Sequence, residues 1–389
     1  MDTTNRKLKL TLLFVSSLTI MSVITIAPAL PEMAVEFRET EHADLLVRLA
    51  FTIPALMIAI MAPLTGRLID QHGRLKMLWA ALFFYAASGA SGYFLDSLHA
   101  ILLSRAVLGI CVGVSMTIVI TLIADYFEGT ERQKFVGLQI AFMSLGGIVF
   151  IGLGGLLADI GWRNPFLIYL FSLVILPFSI MFLREPAVEV KKTFDPRSVR
   201  SPTIIWMLFI NTMLMWIIFF LIPVQIPFQL KAIGIGSPSL AGLAIAISTA
   251  SSALSSFSYS RIRSRLSFLS VFAVGYILMA AGYVCISLSE TYLLIIVAMI
   301  LSGLGMGMMI PNTNIWVMKI APPAIRGAEI GKLTTFWFLG QFLSPLITLP
   351  LLNVLTLSGT FMLAAVVLLL LSACCLIFHF SKSGKLVMQ

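Results

Sequence analysis

Twelve apolar runs, each long enough to cross a lipid bilayer as a helix, decide what this chain can become. About 20 apolar residues at 1.5 Å rise each span the hydrocarbon core. Runs of that kind lie near residues 10–31, 45–68, 77–95, 100–125, 135–158, 164–183, 203–226, 240–260, 268–288, 293–318, 331–355 and 358–380. None shows the alternation over about ten residues that marks a membrane β-strand. Of the 389 residues, 59% are hydrophobic and 11% charged, and the mean hydropathy is +1.02; a soluble domain carries about 25% charged residues. So few charges cannot clothe an aqueous surface, and lipid must solvate most of the chain. The basic opening "NRKLK" before the first run has the outline of a signal peptide. No small-residue cleavage site follows it, so it reads as the start of a first helix.

The charges that remain report topology. Cytoplasmic loops of membrane proteins are enriched in Lys and Arg. With the N-terminus placed in the cytoplasm, only Arg38, Arg48, Arg163 and Lys231 of the 26 Lys and Arg residues fall outside, and Arg105 lies within a run. Both termini are therefore expected in the cytoplasm. The net charge of +9 is spread over many short loops, which argues against a nucleic-acid partner. The longest charged loop, "REPAVEVKKTFDPRSVRSP" at 184–202, divides two sets of six runs. The expected organisation is thus a six-helix bundle over residues 1–183, a cytoplasmic linker over 184–202 and a second six-helix bundle over 203–389. Equal halves suggest a duplicated unit with a pathway between its copies.

Catalysis finds little support. The histidines are scattered at 42, 72, 99 and 379, and no nucleotide-binding loop is present. The four cysteines, Cys111, Cys285, Cys374 and Cys375, sit in apolar runs without metal-ligand spacing, so neither a metal site nor a disulfide is expected. An enzyme is not expected, nor a cofactor.

Between the second and third runs stands "GRLIDQHGRLK", residues 66–76. It resembles the major facilitator superfamily signature G-x-x-x-D-[RK]-x-G-R-[RK]: Gly66, Asp70, Gly73 and Arg74 match, Gln71 replaces a basic residue, and Lys76 falls one place late. "SRAVLGICVG", with Arg105, Gly109 and Gly113, resembles that family's helix 4 pattern, and "ADYFEGTERQKFVG", with Asp125 and Arg132, its helix 4 end. The resemblance implies an all-α polytopic membrane protein of twelve transmembrane helices in two pseudo-symmetric six-helix bundles. It also implies that Asp70 sits near the start of helix 11, around Gly327–Gly331, and latches the halves on the cytoplasmic side. A carboxylate at a helix N-terminus gains roughly 0.3–1 kcal/mol from the macrodipole, and protonating Asp70 would weaken the latch. The alternative is that Arg67, Arg74 and Lys76 only fix topology; His72 reads as a plain loop residue in either case. The corresponding turn of the second half, "YSRIRSRLS" at 259–267, has neither acid nor glycine and reads as topological.

Inside the membrane, Arg105 is the outstanding charge. Such residues usually face a cavity. It would bind an anion, shift a neighbouring acid, or snorkel to the interface; the family resemblance links it to proton transfer or substrate binding, facing Ser22 and Thr25. No Asp or Glu lies mid-helix, so proton coupling would fall to edge acids: Asp70 and Asp125 first, with Glu32 at the outer mouth or simply a solvated end. Uncharged polar and indole groups are the expected substrate contacts: Asn211 and Gln225 on helix 7, Asn312, Asn314 and Trp316 on helix 10, and Trp337 and Gln341 on helix 11. Buried amides must be satisfied, so the alternative for each is an interhelical hydrogen bond.

Residues 146–155, "GGIVFIGLGG", approximate the exporter pattern G-x-x-x-G-P-x-x-G-G through Gly146, Gly154 and Gly155, with Phe150 and Ile151 where Gly and Pro should stand. The chain thus resembles twelve-span drug:proton antiporters. The expected activity is proton-coupled export of a small amphipathic organic compound (a drug, a toxic metabolite or a siderophore-like product), the alternative being proton-driven uptake of a small metabolite, anionic or uncharged. A monomer in a bacterial inner membrane is expected.

Overall fold

The structure, a computed structural model, describes residues 6–186, 201–323 and 325–380, apart from the side chains of residues 67 and 70–72. The expected cytoplasmic linker therefore lies mostly outside the described residues. Everything regular in them is helical, with no strand.

The first span is α1 (Arg6–Ile24), a 3-10 turn at Ala27–Ala29 and α2 (Leu30–Glu36). Pro28 and Pro31 supply no N–H to a continuous helix, which accounts for the break. Then come α3 (Ala43–His72), α4 (Arg74–Ser91), α5 (Leu98–Tyr126) and α6 (Gly129–Ile160). The sixth span opens as a 3-10 segment, Asn164–Leu170, and continues as α7 (Phe171–Phe182). The seventh is broken into α8 (Thr203–Phe219) and α9 (Leu221–Ala232), because Pro223 has no N–H for the Phe219 carbonyl one turn back. It ends six residues beyond the expected 226. The chain continues through α10 (Pro238–Phe257), the short α11 (Tyr259–Arg263), α12 (Phe268–Ser287), α13 (Tyr292–Ile320), α14 (Arg326–Val354) and α15 (Leu357–Phe380).

Eleven of these helical stretches are long and apolar enough to cross a membrane. The remaining expected span, 77–95, is α4, whose 18 residues begin with Arg74 and Lys76 and so carry two charges in the first turn.

Successive spans alternate in direction. One end of the bundle gathers Lys9 with Glu131 (3.0 Å), Arg74 with Asp125, and Ser267 with His379 (3.1 Å). We call it the terminal end, since α1 starts and α15 finishes there. The far end gathers Arg163 with Asp96 (2.8 Å) and Glu36 (3.6 Å). Within the first six spans α5 packs on α3 and α4, and α6 on α1; within the second six, α12 packs on α13 and α15, and α14 on α8. The most extensive contacts joining the sets are α6 with α10 and α3 with α14; the 3-10 turn of the first span and α2 also meet α9, and the turn meets α10.

Small residues set the closest approaches. A Cβ on Gly109 of α5 would lie 2.6 Å from Pro54 Cα, and one on Gly113 2.9 Å from Met61 Cβ, so the glycines of the helix 4 pattern seat α5 on α3. A Cβ on Gly155 of α6 would lie 2.8 Å from the Pro238 carbonyl oxygen, and one on Gly242 of α10 2.8 Å from that of Ile151. Here backbone meets backbone. The four cysteines are free thiols.

Candidate functional site

Arg105 is fully buried, two turns into α5. Its Nη2 donates to the Ser22 carbonyl and to the Tyr169 hydroxyl, each at 2.8 Å. The guanidinium carbon lies 4.6 Å from the Tyr169 ring centroid and 5.7 Å from that of Phe166. The cation is therefore held between aromatic faces and does not snorkel. Its Nε and Nη1 have no hydrogen-bond partner. Of the two expected neighbours, Ser22 takes part through its backbone; Thr25 gives its hydroxyl to the Met21 carbonyl (2.6 Å). A Cβ on Gly154 of α6 would come 2.1 Å from the Thr25 carbonyl oxygen, so that glycine is what lets α6 lie against the break in the first span.

At the terminal end, Gly73 reverses the chain between α3 and α4 with φ +79° and ψ 157°, a conformation open essentially to glycine alone. Arg74, the next residue, bonds Asp125 at the end of α5. The Glu185 carboxylate accepts from the backbone N–H of Arg74 (2.8 Å) and Leu75 (2.9 Å), capping α4 from the end of the adjacent sixth span. Asp70 belongs to α3, but its side chain lies outside the described residues, as do those of Arg67 and His72. Arg132 is exposed on α6, and Gly66 faces open space. Glu329, in the first turn of α14, is 1% exposed; its Oε1 accepts from Lys332 (2.8 Å) and Ser201 (2.9 Å), and its Oε2 has no partner.

The polar residues expected to contact substrate divide in two. Asn312 is buried and satisfied between helices, accepting from Tyr259 (3.0 Å) and donating to the Phe268 carbonyl (3.0 Å). Trp316 stacks on Phe268 at 5.1 Å with 7° between planes. Asn314 donates back to Ile310 of its own helix (3.1 Å). Asn211 accepts from Tyr276 of α12 (2.7 Å) and leaves its amide N–H group unpaired. A second set keeps buried polar atoms unpartnered: Nε1 of Trp337 and of its neighbour Trp216 (ring centroids 5.6 Å apart), Oε1 of Gln341, and Nε2 of Gln225. Glu32 is half-buried in α2.

A groove of about 520 Å³ opens between α1, α6 and the sixth span, lined by Phe14, Phe142, Phe150 and Phe171 among other apolar residues. No expected substrate contact lines it. Phe150, standing where the exporter pattern has glycine, fills one wall 5.7 Å from the Phe171 ring.

A family model described as Major Facilitator Superfamily matches residues 12–237 and 234–385. The chain belongs to the major facilitator superfamily. Among curated relatives, Multidrug resistance protein 1 of Bacillus subtilis is 31% identical over 178 residues, 46% of this chain and 44% of the relative. Tetracycline resistance protein, class H, of Pasteurella multocida is 27% identical over 175 residues, 45% of this chain and 44% of the relative. Quinolone resistance protein NorA of Staphylococcus aureus (strain Mu50) is 28% identical over 167 residues, 42% of this chain and 43% of the relative. The match thus spans less than half the length of these relatives. A crystal structure of a variant of the nucleoside transporter NupG aligns with TM-score 0.81 at 14% identity, covering 96% of this chain and all of that one. The D-xylose-proton symporter aligns with TM-score 0.77 at 15% identity, covering 95% and 96%. At such identities the likeness is one of fold.

The family and the fold are those of major facilitator transporters. Three side chains carry no distinguishing signal in the sequence: Tyr169 and Arg48, both buried, and Glu185, exposed at the terminal end. Tyr169 lies in an apolar run without a distinguishing neighbour. Glu185 follows Arg184 directly after the sixth run, and only the fold places it against α4. Arg48 was counted as an outer charge although it falls inside the run at 45–68; it is 5% exposed and joins α3 to α9.

Proposed function

We propose that the chain is a secondary transporter exporting small amphipathic organic compounds in exchange for protons. The observation that carries the reading is the similarity to proteins named for resistance to multiple drugs, tetracycline and quinolones. Unpaired indole N–H groups at the neighbouring Trp216 and Trp337, and open amide valences at Gln341 and Gln225, suit compounds that combine a large apolar face with a few polar atoms. Arg105, with two unpartnered donors in an aromatic niche, serves in this reading as the charge that a proton-binding step would sense. Asp70, with Arg74 and Asp125, forms the gate at the cytoplasmic end, and protonation of Asp70 weakens it. The two halves, 1–183 and 203–389, rock about the pathway between them, and the protein acts as a monomer in a bacterial inner membrane with both termini in the cytoplasm.

Uptake of a small anion is the second reading. It is favoured by the same unpaired N–H groups on Arg105.

Inside-out vesicles with an acidic lumen separate the readings. Export predicts that a lipophilic cation or neutral drug collapses the proton gradient only when the protein is present. Uptake predicts that no drug does so and that an organic acid leaves the lumen with protons. Asp70→Asn retaining full gradient-driven transport would remove Asp70 from the mechanism.

A further inference from the structure

Arg48 sits in the seam between the two six-helix sets, at the far end, about 7.5 Å along α3 from its first residue. Its Nε and Nη2 both approach Oε1 of Gln225 on α9, each at 3.4 Å. Its guanidinium carbon lies 4.2 Å from the Phe228 ring centroid, one turn further along α9. Nη1 turns back to Asp44, donating to its carbonyl (2.8 Å) and carboxylate (3.2 Å). One turn deeper, Phe51 of α3 stacks on Phe220, in the break between α8 and α9, with centroids 5.7 Å apart. Gln225 is wholly buried and its Nε2 has no partner.

A charge within a membrane span is costly and is kept where it does something. A purely structural cation would be expected to have short, well-aligned bonds on every side. Arg48 has short bonds only within its own helix; those that cross the seam are long, and its third contact there is with a ring face. Such a set holds the halves together and yet can be released without stranding the cation, because Asp44 stays with it and is itself 75% exposed in its side chain.

We propose that Arg48 is a gating residue: with Gln225 and Phe228 it latches the two halves at the far end, and its release opens the transport pathway there. The assignment holds for either direction of transport. Lysine cannot replace it, since one ammonium does not offer a flat face to Phe228 while donating to Gln225 and Asp44.

The test compares cross-linking at the two ends of the full chain, with the four native cysteines replaced by alanine. At the far end, Asp159 of α6 accepts from Ser237 (3.3 Å) and from the backbone of Ser239 (3.2 Å), across the same seam. Asp159→Cys with Ser237→Cys, joined by a short bis-maleimide and read by mass spectrometry, reports closure there. At the terminal end, Gly66→Cys with Gly331→Cys reports closure of the opposite side; a Cβ at either glycine meets nothing within 4 Å. Arg48→Met and Gln225→Leu are each expected to slow far-end cross-linking by about three- to tenfold, the range set by a hydrogen bond of ordinary net strength. Each is expected to raise terminal-end cross-linking, and the double variant to shift neither further than the single ones. Unchanged rates at both ends would overturn the proposal. So would a fall at both ends together, which marks a loosened fold rather than a released latch.

Discussion

The guanidinium of Arg105 donates to the hydroxyl of Tyr169 at 2.8 Å, joining α5 to the sixth span where neither side chain touches solvent or lipid. Hydrogen bonds to charged groups are worth about 1.5–3 kcal/mol. Tyr169→Phe leaves the bond to Ser22, so it is expected to lower the melting midpoint while the chain still folds. Arg105→Lys is expected to reduce transport at least tenfold at unchanged membrane abundance, because a single ammonium cannot bond two groups and stack between two rings. Immunoblots and vesicle flux decide between loss of protein and loss of function.

Gly154 and Gly152 lie two residues apart on α6 and answer oppositely to a methyl group. On Gly154 it would come 2.1 Å from the Thr25 carbonyl oxygen; at Gly152 nothing lies within 4 Å. Gly154→Ala is expected to cost about 1–3 kcal/mol, as overpacking does, and Gly152→Ala close to nothing. Thermal unfolding of the detergent-solubilised variants measures the difference.

Gly73→Ala is expected to destabilise by about 1–3 kcal/mol through its backbone alone, since φ +79° with ψ 157° is nearly closed to residues with a Cβ. The space beside it is open enough, with Glu185 at 3.7 Å. Enlarging the residue further, to Val, should therefore add strain at the same backbone angles and no new clash of comparable size.

Glu185→Ala removes the acceptor of two N–H groups at the start of α4 and is expected to cost about 1 kcal/mol. Glu185→Gln keeps one acceptor oxygen and should fall between parent and alanine variant. Equal midpoints for all three would show that water caps α4 as well as the carboxylate does.

Arg74 and Asp125 should behave as one unit. Arg74→Gln and Asp125→Asn are each expected to weaken transport, and the double variant to weaken it by less than their combined effect, with a coupling of about 0.5–3 kcal/mol. Additive losses would separate the two residues.

Hydropathy located the spans because membrane insertion depends on summed apolar length, and that sum is local in sequence. The breaks at Ile24–Leu30 and Phe219–Leu221 were less legible: Pro28, Pro31 and Pro223 were visible, but proline bends some membrane helices and ends others according to what the freed carbonyls meet. α4 starts three residues before its apolar run, because the fold gives Arg74 and Lys76, loop residues by composition, to the helix and caps it with Glu185. The helix 4 pattern was read for its arginine and its glycines, and both have visible partners, Tyr169 for one and α3 for the other. The polar interior was the least readable part. Asn312 and Gln341 are similar amides in similar runs, yet one is satisfied by Tyr259 and Phe268 and the other keeps an unpaired oxygen. That difference is made by neighbouring helices distant in sequence.

Around Gly155 and Gly242 the seam of α6 against α10 has no teeth, although Thr249 meets Gly147 further along it and Asp159 bonds Ser237 at its end. Where Gly155 and Gly242 meet opposing carbonyls, neither helix offers a side chain for the other to lock around. Ridges set into grooves must climb out of register before one helix can turn on another; two bare backbones need not. Weak Cα–H···O contacts, of about 0.5–1 kcal/mol each, can be traded one for the next along such a surface. In the rocking motion proposed above, such a surface resists rotation less than an interlocked one, which leaves the side chains that bridge the ends to distinguish one state from the other.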